Sequence, residues 1–381
     1  MFLTTVKSPL TTFISDTRDP GGTLVVVFLR GGADGLNMVV PHGDDHYHAA
    51  RPGIGIRRED LIDLDGFFGL NAHLKPLHRW WDSGDLALVH CAGSEDESRS
   101  HFEAQDFMEH GGLAAGGWLG RFLRTRPDAG SSPLTAVAIG PTLPECLRGA
   151  PSCAAIQSLD DFGLGPGVPS GFIHSLAALY RHAPRELGPA GRNALAALER
   201  IQALSTRDDP PAHGASYAND DFSAGLRQIS RLIKGRVGLQ AATIDLGGWD
   251  SHLTQSVIMD PPMQRLAAGL HAFATDLGPA EMARTHIVVM TEFGRRVAEN
   301  SAAGTDHGRG GVMFLLGGGI RGGRIHVDWP DLASQLAGPG DLPVLNNYRD
   351  FLAPILARLA PGLDFPTIFP GHTLRETGLF S

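Results

Sequence analysis

The sequence predicts an α/β fold: a doubly wound, mostly parallel sheet flanked by helices, with an inserted helical segment. Three observations carry this. Apolar, often β-branched runs recur at Thr23–Leu29, Leu86–His90, Ala241–Leu246 and His286–Met290. Stretches of helical spacing separate them. Loops holding Asp34, Ser98, Asp250 with His252, Glu292, and Asp306 with His307 each border such a run, which places all five on one sheet edge.

Composition bounds the rest. The chain has 381 residues, and 42% hydrophobic content is enough for a sizeable core. A formal net charge of -9 argues against nucleic acid or an anionic membrane surface as partner, since both call for basic patches. Cys91, Cys146 and Cys153 form no CxxC and leave one over, so no disulfide framework is expected. No apolar run reaches the roughly 18 residues of a membrane helix. Paired arginines followed by an apolar region are missing near the start, which reads as cytoplasmic. Residues 1–381 read as a single domain, with 146–240 as an irregular and helical insertion.

In chain order, Thr23–Leu29 lies between Gly21-Gly22 and Gly31-Gly32 and reads as a strand buried on both faces. Asp34 follows among glycines, a candidate ligand at a strand end. Residues 41–65, with His42, Asp44, Asp45, His46 and His48 crowded together, read as a surface loop, with a second metal patch as the alternative, and Leu74–Trp81 has helical spacing. After the run Leu86–His90, Ser98 or Ser100 stands near the start of a helix through Phe102 and Phe107. A hydroxyl there sees unpaired amides, which favours an anionic substrate, and activation by a metal suits a serine with no base at local spacing. Gly117–Leu123 continues a helix, Leu134–Ile139 is a further strand, Cys146–Ser170 an irregular excursion, and 171–240 mostly helical. Met263–Leu277 is an amphipathic helix, and Gly317-Gly318-Gly319 a turn between strands.

Gly247–His252 gives the sharpest chemical signal. Asp250 and His252 combine a carboxylate with a borderline-soft nitrogen at a strand end, as zinc and its neighbours require. Glu292, Asp306 and His307 supply matching side chains from later loops.

Taken in order, RGGADGLN, SRSHFEAQDFMEHGG, GGWDSH, TEFGRR and DHGRGG resemble the family catalogued as domain of unknown function 1501, from Gly22 to Leu379. That family is in turn similar to the alkaline phosphatase and sulfatase superfamily. The resemblance implies an alkaline phosphatase-like fold and a metal-dependent hydrolase of small phosphate or sulfate esters, with a metal-activated Ser or water as nucleophile. It places Ser98 or Ser100 at the nucleophile position, with Arg99 and His101 as further catalytic candidates. Asp250, His252 and His307 would hold one metal, zinc by donor type, with Asp306 as a further ligand or orienting group. Asp34 and Glu292 would hold a second ion, where oxygen donors suit Mg, Mn or Ca. Arg99, Arg295 and Arg309 would bind the remaining anionic oxygens.

Two departures qualify the template. The Asp-His spacing is two residues rather than four, and Glu292-Phe293 stands where phosphatases carry an Asp-His pair. The sulfatase Cys-x-Pro-x-Arg sequence is missing, which argues against formylglycine chemistry. The alternative reading is a non-catalytic metal-binding or assembly protein that keeps the fold. Relatives in the family are often exported, so the resemblance also admits the periplasm.

Overall fold

The computed structural model describes residues 21–126, 132–160, 169–184, 187–205 and 209–380. Strand β1 (Thr23–Arg30) leads through a one-turn helix α1 (Gly35–Met38) to β2 (Val39–Val40), α2 (Asp45–Ala50), β3 (Leu61–Asp63), β4 (Gly69–Asn71) and α3 (His78–Asp82). Next come β5 (Leu86–Gly93), α4 (His101–His110), α5 (Trp118–Arg124), β6 (Ala136–Ile139) and β7 (Ala154–Ile156). Three helices, α6 (Ser170–His182), α7 (Leu187–Ser205) and α8 (Asp221–Lys234), precede β8 (Ala241–Gly247). The long α9 (Gln255–Met282) returns the chain to β9 (Thr285–Thr291). Then follow β10 (Gly311–Gly317), β11 (Arg324–His326), β12 (Asn346–Asn347), α10 (Tyr348–Leu359) and α11 (Phe365–Ile368).

The fold is α/β. Its main sheet runs β11-β5-β10-β9-β1-β8-β6-β7, with β12 also pairing β5. Every pairing is parallel except those of β10, which is antiparallel to β5 and β9. Helices cover both faces, which is why β1 reads as an unbroken apolar run. Val25, Val27 and Leu29 enter the core under α8 and α9, while Leu24, Val26 and Phe28 enter the one under α5 and α10. The α8 face is set by spacing: Phe222, Leu226, Ile229 and Ile233 fall on one side and are all buried. Asp220 caps that helix by accepting from the Ser223 amide.

Several elements differ from the expectation. Residues 41–65 are not a plain loop: they hold α2 and β3, and β3 joins β2 and β4 in a small antiparallel sheet. Ala154–Ile156, in the expected irregular excursion, pairs with β6 as an edge strand. α5 is separate from α4, because Gly111 ends α4 in the left-handed conformation (φ 72°). α9 begins at Gln255 rather than Met263, with Pro261 and Pro262 inside it. The three cysteines are free thiols. Among the described residues no helix is long and apolar enough to cross a membrane.

The loop after β1 is fixed by close approach. Gly31 has φ +123°, and a β-carbon there would lie 2.7 Å from the Asp250 amide nitrogen. The β1 and β8 ends therefore meet backbone to backbone. Gly31→Ala is expected to cost about 1–3 kcal/mol, from backbone strain plus displacement of the 249–250 chain. The measurement is urea unfolding: a midpoint unchanged from wild type would show that this contact is soft.

Candidate metal centre

Four loops converge at the carboxyl edge of β1, β8 and β9. β8 delivers Asp250 and His252, β9 delivers Glu292, and the loop after β5 delivers His101 at the first position of α4. His307 precedes its strand, yet it reaches the same edge because β10 is antiparallel.

Asp250 Oδ1 lies 3.1 Å from His252 Nε2, 3.3 Å from His307 Nε2 and 3.6 Å from His101 Nε2. His252 Nε2 and His307 Nε2 are 2.9 Å apart. Ligand atoms of His101, Asp250 and His307 all fall within 4.8 Å of one another. Tetrahedral zinc with bonds of about 2.0–2.1 Å spaces its ligands by about 3.3 Å, so these separations are of the right scale.

The far sides of the rings decide which nitrogen is available. His307 Nδ1 donates to the Arg99 carbonyl at 2.8 Å, and a carbonyl only accepts, so in the neutral ring Nε2 keeps its lone pair. His101 Nδ1 donates to Glu292 Oε1 at 2.8 Å. Its Nε2 is buried and has no hydrogen-bond partner among the described residues. An orphaned imidazole nitrogen facing a carboxylate and further imidazoles is what a divalent cation would satisfy. Phe293 packs against both rings, 4.9 Å from His101 and 4.8 Å from His307 between centroids. It forms an apolar backing to the two imidazoles.

Charge is arranged around Asp250. Burial alone would raise its pKa, but the Arg295 guanidinium at 2.6 Å and the nearby histidines outweigh this and bring it down to about 2. The same balance operates at Glu292: burial pushes up, and hydrogen bonds from His101 and Gln105, then the backbone, hold the pKa below the usual range. The hydrogen bond with Glu292 raises the pKa of His101 against the opposing effect of burial. Burial lowers that of His307, with the Arg99 carbonyl opposing it.

Several predicted residues lie elsewhere. Asp34 is not brought to the cluster: it is buried and caps α1, and its oxygens accept from Arg51 and from Gln255 Nε2. Gln255 in turn accepts from Ser251 and Thr305, so Asp34 braces both ligand loops from behind. Glu292 sits beside the cluster with its oxygens occupied by His101, Gln105, the Gly31 amide and Thr291. Asp34 and Glu292 thus spend their oxygens on separate sets of partners. Asp306 lies outside His252, 3.6 Å from its Nδ1. Ser98 is exposed and its hydroxyl donates to Asp96 at 2.8 Å, whereas Ser100 occupies the N-cap of α4 without a capping bond.

The three arginines expected to bind substrate oxygens are already paired, Arg99 with Asp341, Arg295 with Asp250 and Arg309 with Glu97. The sequence reading missed Arg51, Gln255 and Gln105. Gln105 alone left a signal, four residues after His101 and so on the same helical face.

The family model described as protein of unknown function (DUF1501) matches residues 179–380. That span holds Asp250, His252, Glu292, Asp306 and His307. No curated protein matches the chain in sequence. Among solved structures it is similar to Ps i-CgsB in complex with k-i-k-neocarrahexaose, with 12% identity, 92% of this chain and 74% of that chain covered, and a TM-score of 0.39. It is also similar to Ps i-CgsB without that ligand (11%, 92% and 74%, 0.36). A third is a protein from Bacteroides thetaiotaomicron VPI-5482 provisionally assigned as a sulfatase (11%, 93% and 76%, 0.35). By the family match, the chain belongs to the DUF1501 family.

Arg295 supplies the test of this geometry. Arg295→Met strips buried carbonyls of Gly32 and Thr305 of their donor, each about 1–3 kcal/mol, so a loss of at least about 2 kcal/mol is expected. The pair with Asp250 adds a pH signature. A depressed carboxylate pKa contributes stability that is present above the ordinary 3.8 and lost as pH falls toward about 2. The stability gap between wild type and Arg295→Met should therefore narrow across that window. A gap independent of pH would show that the ion pair contributes nothing.

Proposed function

We propose, taking membership of the DUF1501 family as the premise, that the chain is a divalent-metal-dependent hydrolase of a phosphate or sulfate ester. The observation that carries this is the convergence of His101, Asp250, His252 and His307 from separate strand-end loops, with His101 Nε2 buried and unpaired. Three imidazoles and one carboxylate suit zinc better than a hard ion. A cation held there would supply Lewis-acid polarisation of an ester oxygen and lower the pKa of an attacking hydroxyl.

The chain's own residues do the rest. Arg295 keeps Asp250 ionised, and Glu292 holds His101 with Nε2 toward the cluster. One carboxylate against a divalent charge leaves the centre net positive, which favours an anionic ester. This matters because Arg99, Arg295 and Arg309 are committed to carboxylates. For the nucleophile, Ser100 is the better serine, since the Ser98 hydroxyl is held by Asp96. Water is the alternative.

Elemental analysis of protein purified without chelator is expected to find about one zinc per chain, lost in His307→Ala and Asp250→Asn. Turnover of p-nitrophenyl phosphate or p-nitrophenyl sulfate should fall by at least about 100-fold in both variants. Ser100→Ala then separates the nucleophiles: retained turnover assigns water, and loss with zinc still bound assigns the serine. Stoichiometric metal without turnover on any ester would instead support a non-catalytic metal-binding protein.

A further inference from the structure

We propose that Asp341 is a positioning residue for this centre, one buried carboxylate that orients both His307 and His252 through two arginine arms. The proposal rests on the metal-centre reading for its consequence, but its geometry stands independently. Asp341 is fully buried, and no motif drew attention to it. Its Oδ2 accepts from Arg99 Nε at 2.9 Å and from Nη2 of the same guanidinium. Arg99 adopts φ 54°, a left-handed conformation that a non-glycine residue keeps only when its surroundings hold it there. The carbonyl presented by that conformation accepts the Nδ1 proton of His307.

The second arm leaves from the other oxygen. Asp341 Oδ1 lies 3.9 Å from Arg296 Nε, and neither atom has a hydrogen bond among the described residues. Arg296 Nη1 is 3.5 Å from Asp306 Oδ2, and Asp306 Oδ1 is 3.6 Å from His252 Nδ1. The backbone reinforces both arms, because Asp341 forms a β-bridge with Arg296 and Gly310 donates to the Leu342 carbonyl.

A buried carboxylate with one oxygen unbonded is a poor device for stability alone. Its use is geometric. The His307 tautomer depends on where the Arg99 carbonyl points, and that depends on the Arg99 side chain being anchored. Without Asp341 the Arg99 side chain, already 29% exposed, turns to solvent and the carbonyl is released. His307 then takes either tautomer and presents a lone pair at Nε2 only part of the time. Groups that orient a metal-bound imidazole in this way typically govern affinity by about 10–100-fold.

The test uses the full chain with Asp341→Asn, Arg99→Ala and Arg296→Ala. Ring-nitrogen NMR of the metal-free protein reads the tautomers, and competition titration reads zinc affinity. The His307 signal should lose its single Nδ1-protonated form in Arg99→Ala. The His252 signal should change in Arg296→Ala, and both should change in Asp341→Asn. Zinc affinity should fall about 10–100-fold in Asp341→Asn, and adding Arg99→Ala should lower it little further. Unchanged tautomers and zinc affinity in the arginine variants would overturn the proposal, and those two variants decide it if Asp341→Asn does not fold. If wild-type protein binds no zinc, the metal reading fails while the tautomer comparison still decides the positioning.

Discussion

The centre depends on one enclosed guanidinium. Arg295 donates to the carbonyls of Gly32 at 2.7 Å, Thr305 at 2.9 Å and Gly31 at 2.6 Å, and to Asp250 at 2.6 Å. Those acceptors belong to the loop after β1, the loop after β8 and the segment before β10. A planar fork of five N–H donors reaches all of them at once, which a lysine ammonium could not do. The cost is local. A fixed positive charge beside these donors would disfavour a cation, and the same charge helps lower the pKa of His307. What offsets it is an Asp250 carboxylate kept ionised and aimed.

Strand direction is the second constraint. β10 spans Gly311–Gly317, about 20 Å at roughly 3.4 Å per residue. Were it parallel to β9, His307 would lie at the opposite edge, a strand length from Asp250. Its antiparallel course turns a residue before a strand into a partner for residues that follow strands. The β-bridge between Arg295 and His307 fixes the register at that turn.

These facts explain what was legible in the sequence. The runs at 23–29, 241–246 and 286–290 announce strands covered on both faces, and Asp250, His252 and His307 stand out because polar groups at strand ends need a reason. Asp34 looked equivalent, but its fate is decided by Arg51 arriving from the end of α2, a contact that no local pattern encodes. The small β2-β4-β3 sheet was hidden because strands of two or three residues are too short to show a period of two. Pro261 and Pro262 concealed the first turns of α9, since tertiary packing there overrides a strong local breaker.

The acids at this edge divide by what their oxygens already hold. The resemblance assigned ligand roles to four of them, and the fold divides those four by what already occupies their oxygens. Asp34 is bonded to Arg51 and Gln255, Glu292 to His101 and Gln105, and Asp306 stands behind His252. Of the four, Asp250 is the one that turns an oxygen toward the Nε2 atoms of His101, His252 and His307. One anionic and three neutral donors cannot neutralise two divalent ions held close together, so the repulsion between such ions would be left uncompensated. On the proposed reading the donor arrangement would suit a single ion, with the remaining acids acting on the histidines that would hold it.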